Sequence, residues 1–428
     1  MAFGDKSQWD YLAMALIKAY PALQNASAAS TPQDRGETYF QFAGQPLQAD
    51  WTSGTDYFAW TRANIVPGDL DGFYRETTGL VARSYSTYIS SIAPTGFQTN
   101  RQYQGYQTNL SALESDYATL AGKAMDAFVQ WKSRYPEIAG TTTYFQWLTT
   151  EGTGGPGLNA QLLNNQEQQN NVKKTIADFV KAVDADLGSA QKAVTEPANM
   201  ESFTIAGVTQ TELLTTIEDL STTLTKWTSK SEGAYELDIT IDQETVETGE
   251  WQESIQSSVK QNCCSISSSV TIDWKRVIQD TKYKLQVQAI GANNFLISRG
   301  KWYNADWLMA SKVEFPQGSR FTMKDFFGEQ GTLHMVPVSV FVIYKPKVTL
   351  TISTQTYTET VKNYYDASAS VSIFGLNFSL AGGEEKFVQD GPNDTKIITF
   401  DSFSDPTATP LVFGMSSQAF YPPPAPAS

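Results

Sequence analysis

The chain has one histidine, His334, and two cysteines, the adjacent Cys263 and Cys264, in 428 residues. A Ser-His-Asp or Cys-His catalytic set would have to be built on His334. That residue lies in the apolar, strand-like run Leu333-His334-Met335-Val336 and reads as a packed or hydrogen-bonded strand residue. A zinc site of the common kinds needs several Cys or His ligands at fixed spacings, which this sequence cannot assemble. Adjacent cysteines rarely bridge each other, because the closed ring strains the intervening peptide, so the chain is no disulfide scaffold. The plainer reading of Cys263 and Cys264 is two small side chains near a strand. No metal and no cofactor is expected.

Charge is scarce as well. Asp, Glu, Lys and Arg make up 18% of the chain, against roughly 25% in an average globular protein. The balance is −14, and an acidic surface repels phosphate, which excludes a general nucleic-acid binder. No uncharged apolar run reaches the roughly 18 residues of a membrane-spanning helix. Asp5, Lys6 and Asp10 interrupt any apolar core near the start. The expectation is therefore a protein made without a classical signal peptide, either cytoplasmic or released by a leaderless or specialised route. The stretch from Gly152 to Gly157 is not read as a nucleotide loop, and no G-K-[ST] or G-x-S-x-G occurs. Ser189 to Lys192 and Ser257 to Lys260 match S-x-x-K without its companion motifs.

What is present is a change of hydrophobic period. Over residues 1–67 the sequence predicts an amphipathic helix at 4–20 (Trp9, Leu12, Leu16, Tyr20), stopped by Pro21, then an irregular aromatic-rich segment. Residues 68–232 read as helical, with helices over 69–92, 100–135, 158–194 and 210–229. In the second of these Tyr103, Tyr106, Leu110, Leu113, Tyr117, Leu120, Ala124, Phe128 and Trp131 alternate spacings of three and four, a heptad seam that wants a partner. The stripe Val172, Ile176, Phe179, Val183 and Leu187 supplies one. Helices of this length make rods of roughly 50 Å. Thr209-Gln210-Thr211-Glu212 resembles a capping box at the start of the last helix.

From 233 to 404 the period becomes two. Leu237, Ile239 and Ile241 alternate with Asp238 and Thr240, and further strands are predicted at 265–274, 283–290, 333–344, 347–354, 368–380 and 395–400. Residues 405–428 read as a Pro-rich extended tail, ordered only if a neighbour holds it. The fold class is α+β: an elongated α-helical bundle or hairpin (about 68–232) followed by an antiparallel β-sandwich-like section (about 234–404).

Three features invite a functional reading. Tyr144, Phe145, Trp147 and Leu148 fall between the two longest helices. At an exposed hairpin tip they would form a contact for a membrane or another chain; folded back, they would cap their own bundle. Arg299, Trp302, Tyr303 and Trp307 combine a cation with stacking rings, suited to a glycan or ligand contact or to anchoring an inter-strand loop. Glu232, Glu236, Asp238, Asp242, Glu244, Glu247, Glu250 and Glu253 form a run without Lys or Arg, read as a solvated face or a contact with a basic partner rather than a Ca²⁺ site. The expected function is that of a non-enzymatic, self-assembling protein acting through surfaces, membrane-interacting or pore-forming in its sharpest version. A structural subunit of a particle, filament or crystal, and a carbohydrate-binding protein or glycosidase using the β section, are the alternatives. Expected partners are copies of the chain and a membrane or protein receptor, with no nucleic acid.

Overall fold

In the computed structural model, helices dominate the first half and a large antiparallel sheet the second, the α+β arrangement expected. The structure describes residues 26–27, 38–48, 55–67, 73–74, 76–94, 97, 100–135, 142, 144–150, 152–205, 208–242, 276–277, 279–310, 313–316, 319–328, 331–362, 370–373, 376–379, 386–403, 405 and 408–420. The predicted helix at 4–20, the strand at 265–274, both cysteines and the end of the tail lie outside them.

The described chain opens with β1 (Ala26–Ser27), β2 (Thr38–Gln48), α1 (Thr55–Asn64), β3 (Ile65–Pro67), β4 (Phe73–Tyr74), β5 (Glu76–Leu80), α2 (Val81–Ser91) and β6 (Ala93–Pro94). The long helices follow: α3 (Arg101–Arg134), α4 (Tyr144–Thr149), α5 (Gly155–Lys181) and α6 (Ala185–Ala193). Next come β7 (Met200–Ile205), β8 (Val208–Leu213), β9 (Thr215–Ile217) and α7 (Leu220–Thr228). The sheet half holds β10 (Leu237–Asp242), β11 (Lys284–Arg299), α8 (Ala305–Met309), β12 (Val313–Glu314), α9 (Met323–Phe327) and β13 (Met335–Ser353). It ends with β14 (Ser370–Ile373), β15 (Leu376–Ser379), β16 (Val388–Gly391), β17 (Thr395–Asp401) and β18 (Leu411–Ala419).

α3 and α5 form the antiparallel hairpin that the seams call for. Asn100 caps α3, its side chain accepting from the N–H groups of Gln102 at 3.0 Å and Tyr103 at 3.1 Å. Lys132 and Arg134 complement the dipole of the last turn. Phe179 of α5 meets Tyr106 at 5.9 Å between ring centroids, and Trp147 meets Phe128 at 5.6 Å at the opposite end. The partner stripe is not one helix, however. Asp184 starts α6 by accepting from the N–H groups of Asp186 and Leu187, and α6 folds back on α5. The contact is so close that a Cβ on Gly188 would lie 2.3 Å from Lys181 Cα. Val183 at that corner is left exposed rather than in the seam.

Two predicted helices are corrected by tertiary pairing. Among the described residues within 69–92 only 81–91 are helical; Thr77 and Thr78 favour the extended β5, which pairs with β3. Within 210–229 only 220–228 is helical. Thr209 and Thr211 lie in β8, which pairs with β7, and Glu212 is held by an ion pair instead of capping a helix. Local propensity loses there to burial, since Gln210 and Glu212 are both buried.

The sheet is organised on two long strands. β11 and β13 pair antiparallel over nearly their whole lengths, Lys284 opposite Thr351 and Leu296 opposite Ser339. Midway, between the pairs Ala289–Pro346 and Gly291–Tyr344, Lys345 has φ 48°. A left-handed residue inside a strand bends it. Both outer edges change partner across this bend. β13 pairs with β18 up to Ile343 and with β17 from Lys347. β11 pairs with β10 up to Ala289 and with β9 from Ile297. The ten-stranded sheet is thus two half-sheets sharing one bent ribbon. Leu237, Ile239 and Ile241 are buried as the alternation predicts. Residues 411–419, expected in an extended tail, do have holders: β18 lies between β13 and β2, so segments near both ends of the chain complete the sheet.

Trp227 of α7 plugs the bend. It stacks on Tyr344 with centroids 6.3 Å apart and covers Gly291, whose absent Cβ would lie 2.1 Å from the indole. Its Nε1–H donates to Glu236 at 2.6 Å, and Glu236 also accepts from the Ala292 N–H. One buried apolar cluster then runs from the hairpin (Leu110, Ile176) through α2 (Tyr85, Tyr88) to the sheet (Phe295, Val340).

This plug generates a stability prediction. Gly291→Ala should destabilise by about 1–3 kcal/mol through overpacking, and Trp227→Ala by about 3–5 kcal/mol through the cavity it leaves. In the double variant the new methyl enters that cavity, so its cost should fall clearly below the sum of the singles in urea unfolding. Additive costs would show that the indole does not depend on the bare glycine.

Candidate functional site

The hairpin seam is apolar at both ends and polar in its middle. On α3, Gln107 and Glu114 are buried on the same face as Tyr103, Leu110, Ala124 and Phe128. On α5, Asn165, Gln169 and Lys173 are buried in line with Leu162, Ile176 and Val180. Of these, Glu114, Gln169 and Lys173 line a cavity of about 370 Å³ between α2, α3, α5, β8 and the turn before α9.

Lys173 is its innermost cation. The side chain is buried, and its Nζ donates to Ser86 Oγ of α2 at 3.2 Å. Burial pulls the ammonium down to about 8, and Glu114 opposes that fall. Glu114 shows the complementary shift. Burial pushes its carboxyl up to about 7, while Lys173 and Arg320 favour the charged form. Arg320 Nε lies 3.9 Å from Glu114 Oε2, and its guanidinium stands over the Phe321 ring at 4.5 Å. Glu114 Oε1 and Gln166 Oε1 are buried and accept no hydrogen bond. A buried acceptor without a donor is costly and is rare in a native interior.

A second charge pair forms the opposite wall. Arg83 of α2 makes an ion pair with Glu212 of β8, whose side chain is 1% exposed, and donates to the Tyr117 hydroxyl at 2.8 Å. Burial works against the Arg83 charge, but Glu212, Tyr117 and Tyr57 together raise its pKa above the ordinary value. The β7–β8 hairpin, where a helix was predicted, is what brings Glu212 to this wall.

The sequence-predicted residues lie elsewhere. Phe145, Trp147 and Leu148 are buried and Tyr144 half-buried, packed against Phe128 of α3, so they form no exposed knob. The physical reason is that α4 folds back across the hairpin end and gives the rings an apolar bed, the capping arrangement rather than the projecting one. Trp302 is buried edge-on to Tyr85 at 5.5 Å, with its Nε1–H donating to the Leu214 carbonyl at 2.7 Å. Tyr303 rests against Tyr85 and under Arg299, and Arg299 donates to the Ala63 carbonyl at 3.0 Å. Burial lowers the Arg299 pKa to about 10, with Tyr303 opposing. The Trp307 carbonyl accepts from the Tyr88 hydroxyl at 3.0 Å. These four residues fasten the sheet to α2 and the strands beside it, and the buried Trp302 ring presents no glycan platform.

His334 is buried, with its ring bonded to the Gly331 carbonyl. Asp238 lies on the exposed face of β10 and accepts from Gln286 and Gln288, whereas Glu244, Glu247, Glu250 and Glu253 lie outside the described residues. Among the described residues no group of three or more His, Cys, Asp and Glu side chains could hold a metal, and no helix is long and apolar enough to cross a membrane. Gly152 to Gly157 does spell G-x-G-x-x-G, but it follows helix α4, not a strand, and so lacks the βα setting of a dinucleotide loop.

The two shifts give the pH dependence a defined sign. Glu114 holds its proton up to about 7 in the folded protein, against an ordinary value of 4.5. The folded state therefore binds more protons across that window, and stability should fall as pH rises through it. Lys173 releases its proton near 8 when folded, against 10.5 ordinarily, so its contribution should rise with pH above about 8. Urea unfolding from pH 4.5 to 7 should show the falling limb in the wild type and lose it in Glu114→Gln; an unchanged limb in that variant would assign it to another group.

No family model, no curated protein and no solved structure matches this chain.

Proposed function

We propose that the protein is a non-enzymatic binding protein that takes a small polar molecule into the cavity between α2, α3, α5 and β8. The observation that carries this reading is the unpartnered Glu114 Oε1, in a residue 5% exposed, beside a cavity of about 370 Å³. The volume falls in the roughly 300–1,000 Å³ range of small-molecule sites, and shifted ionisable groups in a cavity are the usual mark of one. Ser86 touches Lys173, as a serine nucleophile would touch its base. It sits within α2, however, where neighbouring N–H groups serve the helix and none is free to stabilise an oxyanion. That placement supports binding rather than bond-making at Ser86.

A molecule held there at 100 times its Kd would stabilise the fold by about 2.7 kcal/mol. In a thermal-shift panel of small acids, sugars, amines and amino acids, stabilising compounds should lose their effect in both Lys173→Met and Gln166→Leu. Shifts that persist unchanged in both variants, or a panel without any shift, would defeat the reading.

Self-assembly is a second reading, supported by a different observation. Near the far end of α3, Val129 is 55% and Tyr135 51% exposed, beside Lys132 and Arg134. Exposed apolar side chains at one end of a long hairpin suit contact with another copy. Sedimentation velocity should then show a species larger than the monomer that dissociates in Val129→Ser/Tyr135→Ser; a monomer at every concentration would exclude it.

A further inference from the structure

The groups around the cavity select a ligand chemistry. Three cations line it, Arg83, Lys173 and Arg320, and so do three carboxylates, Glu114, Glu212 and Asp325. Two of the carboxylates are already committed. Glu212 is ion-paired with Arg83, and Asp325 accepts from the Thr322 N–H at 2.6 Å and the Thr322 hydroxyl at 2.8 Å at the start of α9. What remains is two cations against the single carboxylate of Glu114.

The cations have donors to spare. Of the three protons on Lys173 Nζ, one is used, on Ser86 Oγ. Arg320 meets Glu114 only at 3.9 Å, beyond a hydrogen bond, and its side chain is 32% exposed at the mouth. Spare N⁺–H donors of this kind take a carboxylate or phosphate oxygen, the strongest hydrogen-bond partner open to them.

The free acceptors are a separate observation and point to a different part of the ligand. Glu114 Oε1 and Gln166 Oε1 need donors. An ammonium is a poor donor here, because Lys173 and Arg320 already act on Glu114 and would repel it. A hydroxyl donates without that repulsion. Tyr117, Phe321 and Phe326 add aromatic wall to the same cavity, against which a sugar ring can pack.

We infer that the ligand is a small polyhydroxylated acid of the sugar-acid type, its carboxylate on Lys173 and Arg320 and its hydroxyls donating to Glu114 and Gln166. This rests on the cavity being the binding site. It assigns Lys173 and Arg320 to the anion and Gln166 to the hydroxyls, a division that the cavity reading alone does not make.

Isothermal titration of the full chain with sodium D-glucuronate, D-glucose, sodium acetate and spermidine tests it. Glucuronate should bind at least tenfold more tightly than glucose or acetate. Arg320→Met, a change at the mouth that leaves the core intact, and Lys173→Met should each weaken glucuronate at least tenfold without changing the glucose affinity. Gln166→Leu should weaken both sugars. Glucose binding as tightly as glucuronate, or glucuronate unaffected by both cation variants, would overturn the assignment. Spermidine binding that depends on Glu114, with no heat from glucuronate, would overturn the ligand class and leave the cavity reading standing. No heat from any of the four, together with a thermal-shift panel that is also silent, would remove both.

Discussion

A lysine ammonium between two long helices is the constraint around which the helical half is arranged. An isolated charge in an apolar interior costs far more than any single packing contact returns, so it must be neutralised or hydrogen-bonded. Lys173 is answered from two directions, by Ser86 of α2 and by the field of Glu114 across the seam. Glu114 in turn brings Arg320 in from the turn before α9. Each partner comes from a different element. Lys173 thus helps hold α2 and the α9 segment on the hairpin, beside Gln107 of α3, which donates to the Ser90 carbonyl at 3.0 Å, and Gln191 of α6, which donates to the Ile89 carbonyl at 2.9 Å.

The sheet is joined to this arrangement by aromatic contacts and by one charge pair. Tyr85 and Tyr88 of α2 receive Trp302, Tyr303 and the α9 phenylalanines. The β7–β8 hairpin carries Glu212 to Arg83. β9, two residues further along the chain, pairs with the end of β11. α2 is therefore the element on which the polar cavity and the apolar core meet, with Phe326 touching Tyr88 and lining the cavity as well. The left-handed Lys345 lies where the outer partner changes, between the Ile343 end of the β18 pairing and the Lys347 start of the β17 pairing.

Much of this architecture is legible in the sequence. The spacing of Tyr103 through Trp131 gives α3 and its antiparallel partner, and the alternation from Leu237 to Ile241 gives β10 with the correct face buried. The errors share one origin. Thr209 to Glu212 has the letters of a capping box, yet the pairing of β8 with β7 and the pull of Arg83 outweigh local preference. Leu411 to Ala419 sits among prolines and reads as tail, because nothing local reveals that β2, hundreds of residues earlier, waits to pair with it. The cavity is hidden in the sequence for a different reason. Glu114 and Lys173 fall on the apolar stripes of their helices, four residues after Leu110 and three before Ile176. A charged residue on the buried face of a seam is a signal, but its position within the stripe reads as packing beside the more conspicuous aromatics.

Those aromatics act on the cavity from a distance. Tyr103, Tyr106, Phe97 and Phe179 interlock at one end of the hairpin, and Phe128, Trp131, Tyr144 and Trp147 at the other. Between these two clamps α3 and α5 must hold a fixed spacing, since a packed interior resists continuous deformation. The polar middle of the seam therefore cannot close up and bury its unpartnered acceptors against each other, and it stays open at the mouth, where the Arg320 side chain is 32% exposed. A cavity held at constant shape with donors and acceptors in place loses little freedom when it is filled, which is where preorganised sites gain affinity. In this chain the rings of residues 144–148 are therefore more useful as internal fasteners than as a tip, because the rigidity they lend is felt at Lys173 and Glu114.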